Sequence, residues 1–463
     1  MISLFYVVIL QKRPFMIDFI NWISPKTKRK LPSLKNPEDV MNRKKFLSIV
    51  IIGLVFIISA CSGTPQNSTT APLPTSTEIA LPTETPIPTL LPTDIPLVAF
   101  PEGYLGGELP VGGSYNPAAE IFDQAMIDYM SARGIDAAEL VILKKDKIVF
   151  SHSYGWFDED HTHPLTPDAV MRIASVSKPI TKAVVMKLIT DKKLTGSDLV
   201  FCLDGNTTDC WLTIEPIAGA EVDPRLKDIT VKMLLEHQGG WDREASSFDP
   251  MFGDLKIANT LGVNPPVDKY QIASYMMGRK LNFTPGEKSV YSNFGYSLLG
   301  MIIEEVSGKT YLQVVHDEIF TPLGIDNVYL AQTLPENRLT NEAHYNCPGM
   351  GTSVFNPGTT VCWPDGGWNI DHMDAHGGIL TNAETLAKFI STYCIGTGFP
   401  KTDSCGEWAF YGSLDGTLSM VIQRSDDLNW VVILNQRENQ SYGSHEDIRD
   451  MIDKLVPRAN NLN

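Results

Sequence analysis

The sequence predicts an α+β fold, in which one antiparallel sheet is completed by segments from both ends of a large domain. Leu140–Leu143 and Ile148–Phe150 are short apolar runs separated by four charged residues, the pattern of a β-hairpin. Two further β-rich runs, 417–424 and 429–436, lie near the end of the chain. The long stretch 194–339 between them is rich in helix signals, so helices and strands are segregated rather than alternating.

Helices that flank this sheet are predicted from apolar residues three and four positions apart. One precedes the hairpin, with Phe122, Met126 and Tyr129 on one face. Another closes the chain, with Ile448 and Ile452 on its apolar face. Both ends of the domain therefore contribute a helix and strands.

A secretory signal is predicted ahead of the domain, at residues 41–60. The basic residues 43–45 precede fourteen mainly apolar residues and then small residues before Cys61. This arrangement is typical of a signal peptide, and its ending resembles the lipobox of bacterial lipoproteins. The resemblance implies that Cys61 is lipidated and becomes the mature N-terminus. Residues 1–40 are expected to be a mis-called upstream extension, and the alternative for 41–60 is an uncleaved N-terminal anchor.

Residues 61–114 are predicted to be an extended tether. Ser62–Val98 has no aromatic residue, no Lys and no Arg, and is dominated by Pro and Thr. Such a segment cannot bury a core. The sequence therefore predicts an exported cell-envelope lipoprotein, whose domain lies outside the cytoplasmic membrane on an N-terminal lipid anchor.

The charge of the chain excludes some classes of partner. The formal net charge is −16, and residues 1–50 carry +7, which leaves −23 on the rest. A strongly acidic body without a basic run is not suited to bind nucleic acid or to adhere electrostatically to anionic lipid. The lipid anchor is therefore the expected contact with the membrane.

Six cysteines besides Cys61 favour an exported protein. They form three pairs that are close in sequence: Cys202 and Cys210, Cys347 and Cys362, Cys394 and Cys405. Three local disulfides are the simplest of the pairings that six cysteines allow. A metal site is the alternative, but no Cys-x-x-Cys spacing accompanies these cysteines, so no metal is predicted.

The stretch Arg172–Leu188 contains a Ser-x-x-Lys pair at the predicted start of a helix. Pro179 has no N–H and is tolerated only in the first turn, which places Ser175 near the helix start. Ser175 and Lys178 share one helical face, and a desolvated lysine can take the proton of a serine. The pair predicts a serine nucleophile activated without histidine; the alternative is a chance pair on a surface helix. The buried face of this helix is predicted at Ile180, Ala183, Val184 and Leu188.

Tyr291-Ser-Asn293 is the second candidate for chemistry. It follows Pro285-Gly286 and precedes a predicted helix. A phenol can relay a proton between nucleophile and leaving group, and an asparagine amide can hold a substrate carbonyl. The alternative is a tyrosine and an asparagine that only cap the helix.

Ser175-x-x-Lys178 and Tyr291-x-Asn293 resemble, in their surroundings, the motifs of the serine β-lactamase and penicillin-binding-protein superfamily. The similarity is greater to class C β-lactamases, D-alanyl-D-alanine carboxypeptidases and related esterases, and it covers residues 115–457. The resemblance implies a β-lactamase/transpeptidase-like fold: a five-stranded antiparallel sheet with flanking helices and an all-α subdomain. It also implies that Tyr291 is the proton-transfer partner and Asn293 the substrate-binding amide.

A third superfamily motif is only partly present, in Ala409–Thr417. The family usually has Lys or His two residues before a glycine; aligned on Gly412, that position is Phe410. By the resemblance, the N–H groups of Ser413 and Ser175 form the oxyanion hole. The missing cation favours neutral esters or amides over substrates with a free carboxylate.

Two histidines lie in other segments that resemble the family. His237 ends a Leu-Leu-x-His segment, which is expected to support the site from below. His376 suggests a Ser-His pair, but Lys178 already supplies the base. His376 is therefore expected beside the site, as a supporting residue.

The sequence thus predicts an exported serine hydrolase that acts through an acyl-enzyme on an ester, amide or peptide, with no cofactor. The expected partner is a small-molecule or peptidoglycan-type substrate, and the oligomeric state is left open. One alternative is D-Ala-D-Ala carboxypeptidase or β-lactamase activity. The other is a penicillin-binding-like protein that recognises cell-wall material without hydrolysing it.

Overall fold

The computed structural model describes residues 98–203, 205, 208–437 and 445–462. The predictions for the upstream extension, the signal peptide, Cys61 and most of the tether lie outside the described residues. Within them, no helix is both long enough and apolar enough to span a membrane.

Helices and strands occupy the regions that the sequence patterns predict, with further short elements between them. The helices are α1 Glu120–Ser131, α2 Ser177–Thr190, α3 Val231–Leu235, α4 Arg243–Ser246, α5 Asp254–Leu261, α6 Lys269–Met277, α7 Asn293–Ser307, α8 Tyr311–Val315, α9 Asp374–Gly377, α10 Ala383–Thr392 and α11 His445–Leu455. The strands are β1 Val111–Gly113, β2 Ala137–Lys144, β3 Lys147–Gly155, β4 Met171–Arg172, β5 Leu199–Phe201, β6 Cys210–Leu212, β7 Tyr329–Leu330, β8 Met350–Thr352, β9 Thr360–Cys362, β10 Ile379–Thr381, β11 Trp408–Leu414, β12 Thr417–Gln423 and β13 Trp430–Leu434.

The main sheet is antiparallel and joins the two ends of the domain, which confirms the predicted α+β class. Its order is β1-β3-β2-β13-β12-β11, so the early hairpin pairs with the late strands through β2 and β13. The expectation of five strands is wrong, because the sheet has six. The additional strand, β1, pairs with the outer edge of β3 through Val111 and two glycines.

Helices cover both faces of the main sheet. Alternate side chains of β13 show this, because Val431 and Ile433 pack in one apolar cluster with Ile180 of α2. Trp430 and Val432 pack in a second cluster with α1 and α11 on the other face. The central strands are therefore buried on both sides, which explains their nearly continuous apolar sequences.

The predicted disulfides are confirmed. Cα–Cα distances are 5.2, 5.6 and 5.1 Å for the pairs Cys202–Cys210, Cys347–Cys362 and Cys394–Cys405. All three bridges close short loops, with sequence separations of 8, 15 and 11 residues.

Candidate active site

Ser175 lies in a tight turn between β4 and α2. A 3₁₀ turn, Ala174–Val176, follows β4, and α2 begins immediately after it, so Ser175 precedes the α-helix rather than lying in its first turn. Ser419 of β12 donates from Oγ to Ile173 O at 2.6 Å and ties the turn to the sheet. Ala174 has a φ of 46°, which a non-glycine residue rarely adopts. The candidate nucleophile is therefore held in strained and firmly anchored backbone.

Lys178 projects from the first turn of α2 towards Ser175 and is completely buried. Its Nζ lies 3.0 Å from Ser175 Oγ and donates to the carbonyl oxygen of His376 at 2.6 Å. Burial lowers the pKa of Lys178 well below 10.5; Asp249 opposes this and Arg243 reinforces it. The amine is therefore favoured in its neutral form, which can accept the serine proton.

Tyr291 approaches the same oxygen from the other side. Its hydroxyl donates to Ser175 Oγ at 2.7 Å, and burial raises the pKa of Tyr291 to about 12. The ring of His237 lies against Tyr291, with 4.9 Å between centroids. Burial, with Lys178 nearby, lowers the pKa of His237 to about 4, so this histidine is neutral. Burial thus favours the neutral form of Lys178 and the protonated form of Tyr291, and this arrangement can supply one base and one acid to the serine.

Asn293 is the first residue of α7, whose N-cap Ser292 accepts from the N–H of Gly295 at 3.1 Å. The side-chain amide of Asn293 lies at the wall of the cleft that contains Ser175. Its Nδ2 donates to Asp249 Oδ2 at 2.7 Å. Tyr291 and Asn293 thus flank the cap residue of α7 and both face the cleft.

Strand β11 passes directly beside the Ser175 turn at Gly412. A Cβ placed on Gly412 would lie 2.2 Å from Ile173 O and 3.0 Å from Ser175 N, so only glycine allows this approach. Because β11 is the edge strand, its alternate N–H groups are not paired within the sheet. Ser413, the next residue, lines the cleft, and so does Phe410.

His376 contacts Lys178 through its backbone carbonyl and not through its imidazole. Burial, together with the nearby Lys178, lowers the pKa of His376 well below 6.5. Its Nε2 is buried and has no hydrogen-bond partner among the described residues. No hydrogen bond joins the imidazole to Ser175 there, so the structure brings His376 to the site without forming a Ser-His pair.

The cleft has a volume of about 510 Å³ and gathers most of the residues that the sequence predicts. It also brings in side chains for which no role was predicted: Arg243, Phe252, Asp415 and Arg437. The guanidinium carbon of Arg243 lies 5.1 Å from the centroid of the Tyr291 ring. These residues could not be predicted because they lie in loops, turns and one short helix whose positions follow no periodic rule.

No cluster of three His, Cys, Asp or Glu side chains that could hold a metal ion occurs within the part of the chain that the structure describes. His372 and His376 are spaced as His-x-x-x-His. However, the nitrogens of His372 lie 2.9 and 3.2 Å from the backbone oxygens of Val267 and Met251. Backbone contacts therefore occupy His372.

Comparison with protein families gives a match to the β-lactamase family over residues 122–437. Among curated proteins, the chain is 31% identical over 193 residues to penicillin-binding protein 4* of Bacillus subtilis. It is 27% identical over 199 residues to protein flp of Staphylococcus aureus. These matches cover 41% and 43% of this chain but only 37% and 36% of those proteins, so the chain spans well under half of their length.

Solved structures show the same fold. D-amino acid amidase from Ochrobactrum anthropi SV3, complexed with D-phenylalanine, superposes with a TM-score of 0.54 at 18% identity, covering 75% of this chain and all of that one. An octameric penicillin-binding protein homologue from Pyrococcus abyssi gives a TM-score of 0.52 at 18% identity, covering 74% and 77%. At these identities the likeness concerns the fold alone.

Proposed function

The chain belongs to the β-lactamase family, and from this premise we propose that it is a serine hydrolase that forms an acyl-enzyme on Ser175. One observation carries the proposal. Ser175 Oγ lies 3.0 Å from the Nζ of a completely buried lysine and 2.7 Å from a tyrosine hydroxyl. A serine that is only structural has no need of a desolvated amine beside it, because burying a lysine is costly.

The reaction follows from the protonation states that burial favours. Ser175 Oγ attacks the acyl carbonyl while its proton passes to the neutral Nζ of Lys178. The N–H groups of Ser175 and Ser413 stabilise the oxyanion. Tyr291 gives its proton to the leaving group and recovers one from the lysine. Water then attacks the acyl-enzyme and releases the acid and the free serine.

We propose a neutral ester or amide as the substrate. Phe410 stands in place of the cation that would bind a substrate carboxylate, and Phe252, which is 43% exposed, adds a second apolar wall. D-amino acid amidase, a protein with the same fold, acts by its name on amides. D-Ala-D-Ala carboxypeptidase or β-lactamase activity is the second candidate, because a curated relative is a penicillin-binding protein. Recognition without turnover is the third, and Phe410 favours it.

Export as a lipoprotein is a further part of the proposal. Cys61 at the end of residues 41–60 is the proposed lipidation site, and three disulfides suit an oxidising compartment. Metabolic labelling with a palmitate analogue should mark the wild type and not Cys61→Ser. Labelling of Cys61→Ser, or recovery of the wild-type protein in the cytosol, would contradict export as a lipoprotein lipidated at Cys61.

A substrate panel tests the catalytic proposal. We expect short p-nitrophenyl esters to be hydrolysed faster than a chromogenic cephalosporin or a D-Ala-D-Ala peptide, and Ser175→Ala to lose all turnover. Faster turnover of the cephalosporin or the peptide would favour the second candidate. Binding without turnover of any substrate would favour the third.

A further inference from the structure

The short helix α9 contacts α2 through two consecutive backbone carbonyls. The carbonyl oxygen of His376 accepts from Lys178 Nζ at 2.6 Å, and that of Ala375 accepts from Thr181 Oγ1 at 2.5 Å. Lys178 and Thr181 are three residues apart, so both lie on the face of α2 that meets α9. The place of the lysine amine relative to the candidate nucleophile therefore depends on where α9 lies.

The carbonyl of His376 also limits how the amine of Lys178 can turn. A neutral amine has two N–H groups and one lone pair. When one N–H is held by His376 O, the lone pair can face Ser175 Oγ, which lies 3.0 Å from the same nitrogen. Proton transfer is sensitive to this alignment, and a displacement of about 1 Å can cost about 100-fold in rate. Activation of Ser175 therefore requires α9 to be held in place.

An ion pair with α6 holds the first residue of α9. Asp374 is only 6% exposed, and its Oδ2 lies 2.7 Å from the Nζ of Lys269, the first residue of α6. Lys269 Nζ also lies 2.5 Å from Oε2 of Glu304 in α7. The other oxygen of Glu304, Oε1, accepts from the N–H of Tyr311 at the start of α8. One lysine thus ties α9 to α6, to α7 and, through Glu304, to α8.

The ion pair acts on the backbone of α9 and not on the cleft itself. Neither Lys269 nor Asp374 is among the described residues that line the cleft. Asp374 Oδ1 accepts from the N–H of Ala375 at 2.7 Å, so the anchored carboxylate is joined directly to the turn. A helix of four residues has too few hydrogen bonds of its own to fix its position. A buried ion pair adds little net stability, because desolvation offsets the attraction, so its main effect here is on geometry.

We propose that the Lys269–Asp374 ion pair positions α9 and, through its His376 carbonyl, the catalytic amine. Lys269 is then a positioning residue that acts from outside the cleft. This inference rests on the proposed function, because it concerns how Lys178 is held while it takes the proton of Ser175.

Lys269→Met tests the role of the ion pair, because it removes the cation and keeps most of the apolar stem. Asp374 is then buried beside Glu304 without a positive partner, and α9 is no longer held. The time course of labelling by a fluorophosphonate, followed by mass spectrometry, gives two quantities: the rate constant reports the reactivity of Ser175, and the final extent reports the fraction of folded protein. We expect the rate constant to fall about 10-fold or more and the final extent to stay near that of the wild type.

Two further variants serve as controls. Lys269→Arg keeps a cation at the same place on α6 and should restore most of the labelling rate. Lys401→Met removes a lysine whose side chain is 13% exposed, against 15% for Lys269, and which pairs with Asp146 at 2.8 Å in the turn between β2 and β3. Among the described residues, Lys401 Nζ makes no hydrogen bond to α2 or α9. Lys401→Met can therefore change stability but should keep the wild-type rate constant.

The outcomes separate the two proposals. A wild-type rate constant in Lys269→Met, or an equal loss in Lys401→Met, would overturn the positioning role and leave the serine hydrolase intact. If Lys269→Met yields too little labelled protein for a rate constant, Asp374→Asn gives the test, because it keeps the size of the side chain and removes its charge. That variant should also be slowed, and an unchanged rate constant would overturn the inference. No labelling of Ser175 in the folded wild type would overturn the proposed function and, with it, this inference.

Discussion

Gly412→Ala should disable the site by moving β11 away from the Ser175 turn. The added Cβ would lie 2.2 Å from Ile173 O and 2.4 Å from Ser419 Oγ, whereas ordinary contacts begin at 3.4 Å. The strand or the turn must therefore move by about 1 Å, and a displacement of that size can cost about 100-fold in rate. Loss of one oxyanion donor costs a similar factor. We expect kcat/KM for a p-nitrophenyl ester to fall about 100-fold.

Thermal unfolding monitored by circular dichroism separates this effect from unfolding. Overpacking costs about 1–3 kcal/mol, so Tm should fall by several degrees while the variant stays folded at the assay temperature. Gly196→Ala is the control, because its Cβ would make an ordinary contact at 3.5 Å with Lys232. A folded Gly412→Ala variant with activity within threefold of the wild type would refute the placement of β11 at the site.

Four other predictions follow: two concern the amine, one the third motif and one the disulfides. Burial lowers the pKa of Lys178 in the folded chain but not in the unfolded chain. Between that lowered pKa and 10.5 the unfolded chain binds the proton more readily, so over this range the free energy of unfolding rises with pH. Lys178→Met should abolish hydrolysis and raise Tm most at acid pH; an active variant, or a Tm gain independent of pH, would contradict this. Wild-type kcat/KM should rise to a plateau with a midpoint well below pH 10.5 and no falling limb below about pH 10, because the pKa of Tyr291 is about 12. Phe410→Lys should increase penicillin labelling relative to ester hydrolysis, and no change would show that this position does not face a substrate carboxylate. Dithiothreitol should lower Tm by several degrees, since each short loop contributes about 3 kcal/mol in the chain-entropy model, and an unchanged Tm would mean that the bridges do not stabilise the fold.

Much of the fold is predictable because its strands carry strong local patterns. The hairpin β2–β3 and the pair β12–β13 are apolar runs bounded by charged turns, and each lies within a few residues of its predicted place. Strand β1 could not be predicted, because Val111-Gly-Gly has no side-chain pattern. Its pairing depends on close backbone approach, since a Cβ on Gly112 would lie 2.4 Å from Ser153 Oγ.

The residues of the candidate site likewise include some that local sequence patterns predict and some that they do not. Ser175 and Lys178 could be predicted from sequence because they are three residues apart across the 3₁₀ turn and the start of α2. Tyr291 could be predicted because Tyr291-x-Asn293 and its surroundings resemble a family motif. Asp249 and Arg243 could not, because they come from α4 and the turn after it, a segment that only the tertiary fold brings near α7. The hydrogen bond from Asn293 to Asp249 depends on that segment, so no pattern within Tyr291–Asn293 predicts it.

Mass spectrometry of the purified protein after exposure to a fluorophosphonate tests the central claim most directly. We expect one adduct on the peptide that contains Ser175 in the wild type, and none on the corresponding peptide of Ser175→Ala or Lys178→Met. An adduct on another serine, an undiminished adduct in Lys178→Met, or no adduct in the folded wild type would contradict the claim that the buried lysine activates Ser175.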